Sequence, residues 1–312
     1  MPTYLEDLTL RLAAGIAELP AELRARHARY LLAAQLDDGG FAGREGGSDL
    51  YYTGFALRSL AMLGELYGPP AERAAGYLKS RLAGHESIVD FLSLIYGAML
   101  IQNAAGIDVF READAGWQDA VAAALERLRR PDGGYAKAAE GSASSTYHTF
   151  LVLLSLQLID RQPPEPHGIV AFLRSQTCEE GGFREIRASK RAGTNPTAAA
   201  IGTLRILSSV DETTRLDTID FLADMQTDEG GLRANTRIPI ADVLSTFTGT
   251  LTWLDLGGAA FADDLDLSHA RRYVESMQLA DGGFRGGEWD QGTDVEYTFY
   301  GIGAWALLHC AP

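Results

Sequence analysis

The stretch "MQLADGGFR", residues 277–285, decides the fold because it does not stand alone. "QLDDGGFAG" begins at Gln35, "RRPDGGYAK" at Arg129, "QTCEEGGFR" at Gln176 and "MQTDEGGLR" at Met225. Their first glycines are Gly39, Gly133, Gly181, Gly230 and Gly282. The last four recur at intervals of roughly fifty residues, a length suited to a helix-pair repeat. The gap from Gly39 to Gly133 is about two periods, so a unit without its glycines belongs between them. "SRLAGHESIVDFLSLIYGAMLIQ", residues 80–102, occupies that place. The count is then six units.

Each unit has one grammar. A glycine turn and a polar loop lead into an apolar segment such as "YYTGFALRSLAML" or "YHTFLVLLSLQLI". These segments are apolar on most sides, as a helix buried between layers should be. A more amphipathic segment follows, such as "PAERAAGYLKSRLA" or "DLSHARRYVESMQ", which suits an outer helix with one wet face. Strand signals are scarce and no long linker divides the chain. The expectation is an all-α fold over residues 1–312, a single domain of six inner and six outer helices that can close into a ring around a cavity.

The totals narrow the function. Across 312 residues 46 % are apolar, enough for a sizeable core. A formal charge of −15 argues against a general nucleic-acid binder, which needs a basic face. The only two cysteines, Cys178 and Cys310, have no metal-type spacing and fit a reducing cytoplasm. "MPTYLEDLTLRLAAGIAELP" carries acids and no sustained apolar run, so neither a signal peptide nor a membrane span is read there.

The Gln-x-x-x-Gly-Gly-Phe pattern before the inner helices resembles the prenyltransferase and squalene-cyclase repeat. Over about residues 20–310 the chain is similar to the β subunit of protein prenyltransferases, closest to the type II geranylgeranyltransferase. That resemblance implies an α/α toroid of six helix pairs. It also implies an isoprenyl diphosphate in an aromatic-lined barrel, and a helical-repeat α subunit as partner. Magnesium can accompany the diphosphate.

Family members hold zinc with an Asp, a Cys two residues later and a His on the next inner helix. Here "ADVLSTF" and "TDVEYTF" stand at those positions. Asp242 fills the Asp place, but Leu244 replaces the Cys and Tyr297 the His. Leucine cannot ligate, and neutral tyrosine is a poor zinc ligand. The usual zinc site is therefore expected to be absent.

On the diphosphate side, "KRAGTNPTAAA" resembles the family's His-Ala-Gly segment and places Arg191 at a diphosphate-contacting position. "GGLRANTRIPIADV" resembles a loop with two cations, for which Arg233 and Arg237 are available. Arginine suits bidentate oxyanion binding, although solvated loop arginines look the same in a sequence. Tyr51, Tyr52, Phe55, Tyr147, Phe247, Trp253, Tyr297, Phe299, Tyr300 and Trp305 begin or line inner helices. They can form a barrel wall or plain core. His148 is a conceivable general base, or a satisfied buried histidine.

Asp294 and Glu296 head the last inner segment. Asp294 reads first as a helix cap. "DVEYT" partly resembles the Asp-x-Asp-Asp motif of class II terpene cyclases, whose middle Asp protonates an alkene or epoxide. Glu296 falls at that middle position, and a solvent-facing Glu296 is the plain alternative. Three functions stay open. The first is a zinc-independent, prenyltransferase-like enzyme, with Arg191, Arg233 and Arg237 on the diphosphate and Asp242, Asp294 or His148 serving an acceptor. The second is a proton-initiated cyclase with Glu296 as acid and Asp294 as its partner. The third is a non-catalytic toroid that binds lipid or peptide.

Overall fold

The computed structural model describes residues 2–82, 87–261 and 264–310, with the Cys310 side chain outside the description. Residues 83–86, within the expected second repeat, also lie outside it. The described chain is all-α. After α1 (Tyr4–Ala17), outer and inner helices alternate: α2 (Ala21–Ala33), α3 (Leu50–Leu63), α4 (Gly68–Arg81), α5 (Ile88–Ala105), α6 (Trp117–Glu126) and α7 (Thr146–Leu158). The alternation continues through α8 (Pro166–Ser175), α9 (Thr194–Ile206), α10 (Glu212–Ala223), α11 (Val243–Asp255), α12 (Leu267–Ser276) and α13 (Val295–Cys310). Even numbers are the amphipathic segments and odd numbers from α3 onward the apolar ones, as the repeat predicts. The strands are two antiparallel pairs of two residues each, Tyr135–Ala136 with Ser144–Ser145 and Phe284–Arg285 with Thr293–Asp294.

The chain divides into two compact units, Met1–Trp117 with Glu275–His309, and Gln118–Val274 with Cys310–Pro312. In the first, α3 packs on α1, α2 and α5, and α4 on α5. Among the described residues α5 alone is long and apolar enough to cross a membrane, with a mean hydropathy of 1.5. Its packing against α3 and α4 provides a second use for that apolar surface. In the second unit α9 packs between α7 and α11, with α8 and α10 behind.

The glycine turn is built the same way each time. The first glycine takes a left-handed conformation, with φ from 90° at Gly39 to 99° at Gly282, where a side chain is strained. It also meets the backbone of an outer helix: a Cβ at Gly282 would lie 2.7 Å from the Arg26 carbonyl oxygen. The next aromatic or leucine residue then turns its buried N–H toward the following inner helix. Phe41, Tyr135, Phe183, Leu232 and Phe284 donate to Oγ1 of Thr53, Thr149, Thr197, Thr246 and Thr298, at 2.8–3.2 Å. All five threonines are fully buried. They satisfy a backbone donor that would otherwise be costly inside the protein.

The last glycine turn, that of the sixth repeat, docks on α2 within the first unit. His27 Nδ1 lies 2.7 Å from the Gly282 carbonyl, and its ring stacks on Phe284. The first and last repeats therefore meet directly, a point that periodicity alone left open.

Candidate active site

Five inner helices carry a side-chain cap, from Asp49, Ser87, Ser145, Asp242 and Asp294. These residues satisfy one of the orphan N–H groups of a first turn. α9 begins instead at Gly193, without a side-chain cap. The caps place the residues that follow them at the mouths of the helices.

In the first unit, the polar loops that carry Arg44 and Asp290 and the start of α3 meet the start of α13. Asp294 Oδ1 accepts the Tyr297 N–H at 2.8 Å, and Oδ2 accepts Arg44 Nε at 2.9 Å. The rest of the Arg44 fork reaches Asp290 by two bonds of 2.8 and 2.6 Å, and the Gly292 carbonyl at 3.1 Å. Asp290 also accepts the N–H groups of Gly286 and Gly292. The Arg44 bonds hold the Asp290 carboxyl below its ordinary range.

Glu296, two residues past Asp294, has another environment. It is half-buried, and its Oε1 accepts the Tyr51 hydroxyl at 2.6 Å. Burial pushes its carboxyl above the ordinary value, and the Asp294 charge adds to the rise. The Tyr51 bond and Arg44 oppose it. Tyr51 meets Phe55 edge-on at 4.9 Å, and Phe55 lies 5.3 Å from Phe299 and 5.2 Å from Tyr300. A carboxyl whose pKa burial raises thus adjoins a cluster of aromatic rings.

The second unit carries a cleft of about 470 Å³, lined by Lys190, Arg191 and Arg237 with Gly193, Asn195 and Asn235. The uncapped start of α9 opens into it. Arg191 bonds Thr236 Oγ1 at 3.0 Å and pairs with Glu180 at 3.3 Å. Arg233 lies elsewhere: its Nη2 donates to the Asp224 carbonyl at 2.8 Å, at the end of α10. Arg184 makes the equivalent bonds to Ser175 and Thr177 one repeat earlier. Arg184 and Arg233, each following its glycine-turn residue, thus both bond carbonyls at the end of the preceding outer helix.

These repeats match a known family model, described as the prenyltransferase alpha-alpha toroid domain, over residues 9–81 and 71–311. The chain belongs to this family. Its fold class is the α/α toroid. Among solved structures it is similar to Candida albicans protein geranylgeranyltransferase-I complexed with GGPP, with a TM-score of 0.72 and 14 % identity over 91 % of this chain and 90 % of that one. It is also similar to a type II terpene cyclase from Scytonema in complex with geranylgeranyl dihydroxybenzoate, with a TM-score of 0.63 and 14 % identity over 98 % and 99 %. No curated protein sequence matches it.

The resemblance implies a zinc site, and the residues at those positions here do not fit it. Asp242 accepts the Ser245 N–H on Oδ1 and the Ser245 hydroxyl on Oδ2, so both oxygens serve the cap. Burial raises its carboxyl, with the Ser245 and Leu244 bonds opposing. Leu244 offers no donor, and Tyr297 lies beneath the Arg44 guanidinium, 5.5 Å from ring centre to Cζ. Among the described residues no group of three or more His, Cys, Asp and Glu could hold a metal.

The remaining toroid residues divide into mouth and core. His148 Nδ1 lies 2.7 Å from Ser145 Oγ, and burial lowers its pKa, with Glu185 opposing. Tyr147 beside it is 38 % exposed. Phe247 is buried, and Trp253 is fully buried at the far end of α11, where Gly258 leaves no room for a Cβ beside it. Of the two readings given for the aromatic positions, full burial of Trp253 fits plain core. Trp305 stacks on His309 near the end of α13.

Sequence reasoning missed Arg44, Asp290 and the five threonines. The threonines had a signal: each follows a cap position by four residues, as in "YYT", "YHT", "NPT", "LST" and "EYT". Arg44 and Asp290 had none, being 246 residues apart in polar loops of similar composition.

Proposed function

We propose that this toroid is an isoprenoid-cyclising enzyme that begins its reaction by protonating an alkene from Glu296. The observation that carries the reading is the half-buried Glu296 carboxyl, raised by burial and adjoining the Tyr51–Phe55–Phe299–Tyr300 cluster. Tyr51 donates to Oε1, leaving Oε2 to carry the transferable proton. Delivered to the terminal alkene of a polyprene, that proton forms a C–H bond and leaves a tertiary cation. An internal double bond then closes a ring as a C–C bond, and loss of a proton ends the sequence. Aromatic faces favour the passing positive charge. The family and the geranylgeranyl compounds of two structural relatives support a polyprene substrate.

The test is incubation with geranylgeranyl diphosphate in D₂O, followed by mass spectrometry. The expected product is cyclised, keeps its diphosphate and carries a single added deuterium; Glu296→Gln forms none. Product formation without deuterium, or unchanged activity in Glu296→Gln, would overturn the reading.

The cleft of the second unit favours a second reading, transfer or loss of a diphosphate. Three cations, of which Arg191 also pairs with Glu180, are suited to a phosphate group. Released diphosphate that is insensitive to zinc removal would support it. Calorimetry with inorganic pyrophosphate, comparing the native chain with Arg191→Gln and Arg237→Gln, tests the cleft directly.

A further inference from the structure

The bond between Tyr51 and Glu296 marks one level of the first unit, and the two helices that carry them run on side by side. One turn further, Phe55 of α3 meets Phe299 and Tyr300 of α13 at 5.3 and 5.2 Å between ring centres. Three residues past Phe55, on the same side of α3, comes a charge, Arg58. Its guanidinium carbon lies 4.0 Å from the centre of the Phe299 ring, with the Phe55 and Tyr96 rings at 5.6 and 5.8 Å. It stands two helical turns past Tyr51, about 10 Å along the helix axis. Phe55 and Phe299 are buried, while Tyr51 and Tyr300 are half-buried. The order away from Glu296 is therefore an acid, a set of rings, and a cation that already holds a face of one of them.

We propose that Arg58 is a specificity-determining residue that confines the carbocation to the Tyr51–Tyr300 end of the cluster and stops cyclisation at one ring. This deepens the proton-initiated reading above and rests on it. An aromatic face attracts a cation through its quadrupole, and the Phe299 face beneath Arg58 is taken. Arginine keeps its charge throughout the ordinary pH range, and like charges repel more strongly away from water. In the first step the Glu296 proton adds to the terminal alkene, and a tertiary cation forms beside Tyr51. The next double bond attacks that cation: one C–C bond forms, and the charge moves to the far carbon of that double bond. A second closure would carry the charge another step toward Arg58. Loss of a proton from the adjacent carbon to the Glu296 carboxylate ends the reaction first, leaving a new double bond and the restored acid.

The experiment compares the full chain with Arg58→Met and Arg58→Lys, in two arms. With geranylgeranyl diphosphate in D₂O, the native protein and Arg58→Lys should give single-ring products, and Arg58→Met should add products with further rings. Products with several rings from the native protein, or only single-ring products from folded Arg58→Met, overturn the inference. The second arm is calorimetry and needs no turnover. Its probes are N,N-dimethylgeranylamine, an ammonium at neutral pH, and the neutral geranyl methyl ether. Arg58→Met should bind the ammonium about threefold or more tightly than the native protein does, with the neutral probe changed by less than about twofold. Equal changes for both probes, or failure of every protein to bind either, overturn the inference. Should Arg58→Met not fold, Arg58→Gln takes its place in both arms. A chain that gives this binding but no cyclised product sinks the proposed function and leaves the action of Arg58 on a cation intact. A native chain that cyclises to several rings does the reverse.

Discussion

Tyr51 and Glu296 join the first inner helix to the last through a 2.6 Å hydrogen bond between residues 245 apart in the chain. The bond sits where the glutamate leaves water for an aromatic surround. It opposes the effect of burial by supporting the charged form.

Tyr51→Phe should therefore raise the Glu296 pKa further and make it a weaker acid. A hydrogen bond to a charged group contributes about 1.5–3 kcal/mol. On that scale turnover of a polyprene substrate should fall roughly tenfold or more. The alkaline limb of its pH profile should move upward. A pH–rate profile that falls in amplitude without moving would show that Tyr51 only packs.

Glu296→Gln should change the pH dependence of stability in a defined direction. The folded pKa lies above the ordinary 4.5, so the folded state binds more protons than the unfolded chain in this range. The native residue therefore costs stability as pH rises from the unfolded value through the folded one. The glutamine variant escapes that cost. Urea unfolding at a series of pH values should show it gaining on the native protein toward neutral pH, and a constant difference would contradict the burial of Glu296.

His27 titrates with the opposite consequence. Burial is the main cause that lowers its pKa below 6.5, with the Gly282 carbonyl opposing. The fold holds the neutral ring, so its stabilising contribution is present above the unfolded pKa and fades as pH falls below it. The stability difference between the native protein and His27→Gln should shrink as pH is lowered from about 8 to about 5. A difference that grows toward acid pH would contradict the sign.

Thr246 tests the repeat itself. It accepts the Leu232 N–H at 2.9 Å and donates to the Asp242 carbonyl at 2.7 Å. Thr246→Ala leaves a buried donor without a partner and should cost about 1–3 kcal/mol. Thr246→Ser keeps both bonds and should cost clearly less. Equal losses in the two variants by urea unfolding would mean that the methyl group, not the hydroxyl, matters.

The sequence by itself determined the repeat, the alternation of apolar and amphipathic helices and the family, because glycine turns and hydrophobic periods are local properties of a chain. It also placed Asp294 at a helix start and Glu296 beside it, since capping is a matter of a few neighbouring residues. The partners of Asp294 were decided elsewhere. Arg44 reaches Asp294 across 250 residues of sequence, and no local rule links two polar loops so far apart. The same holds for Arg233, a cation in the sequence that the fold spends on a backbone carbonyl, and for Trp253, whose burial depends on Gly258 beyond the end of its helix. A charge or a ring acquires its role from what surrounds it, and only tertiary structure supplies the surroundings.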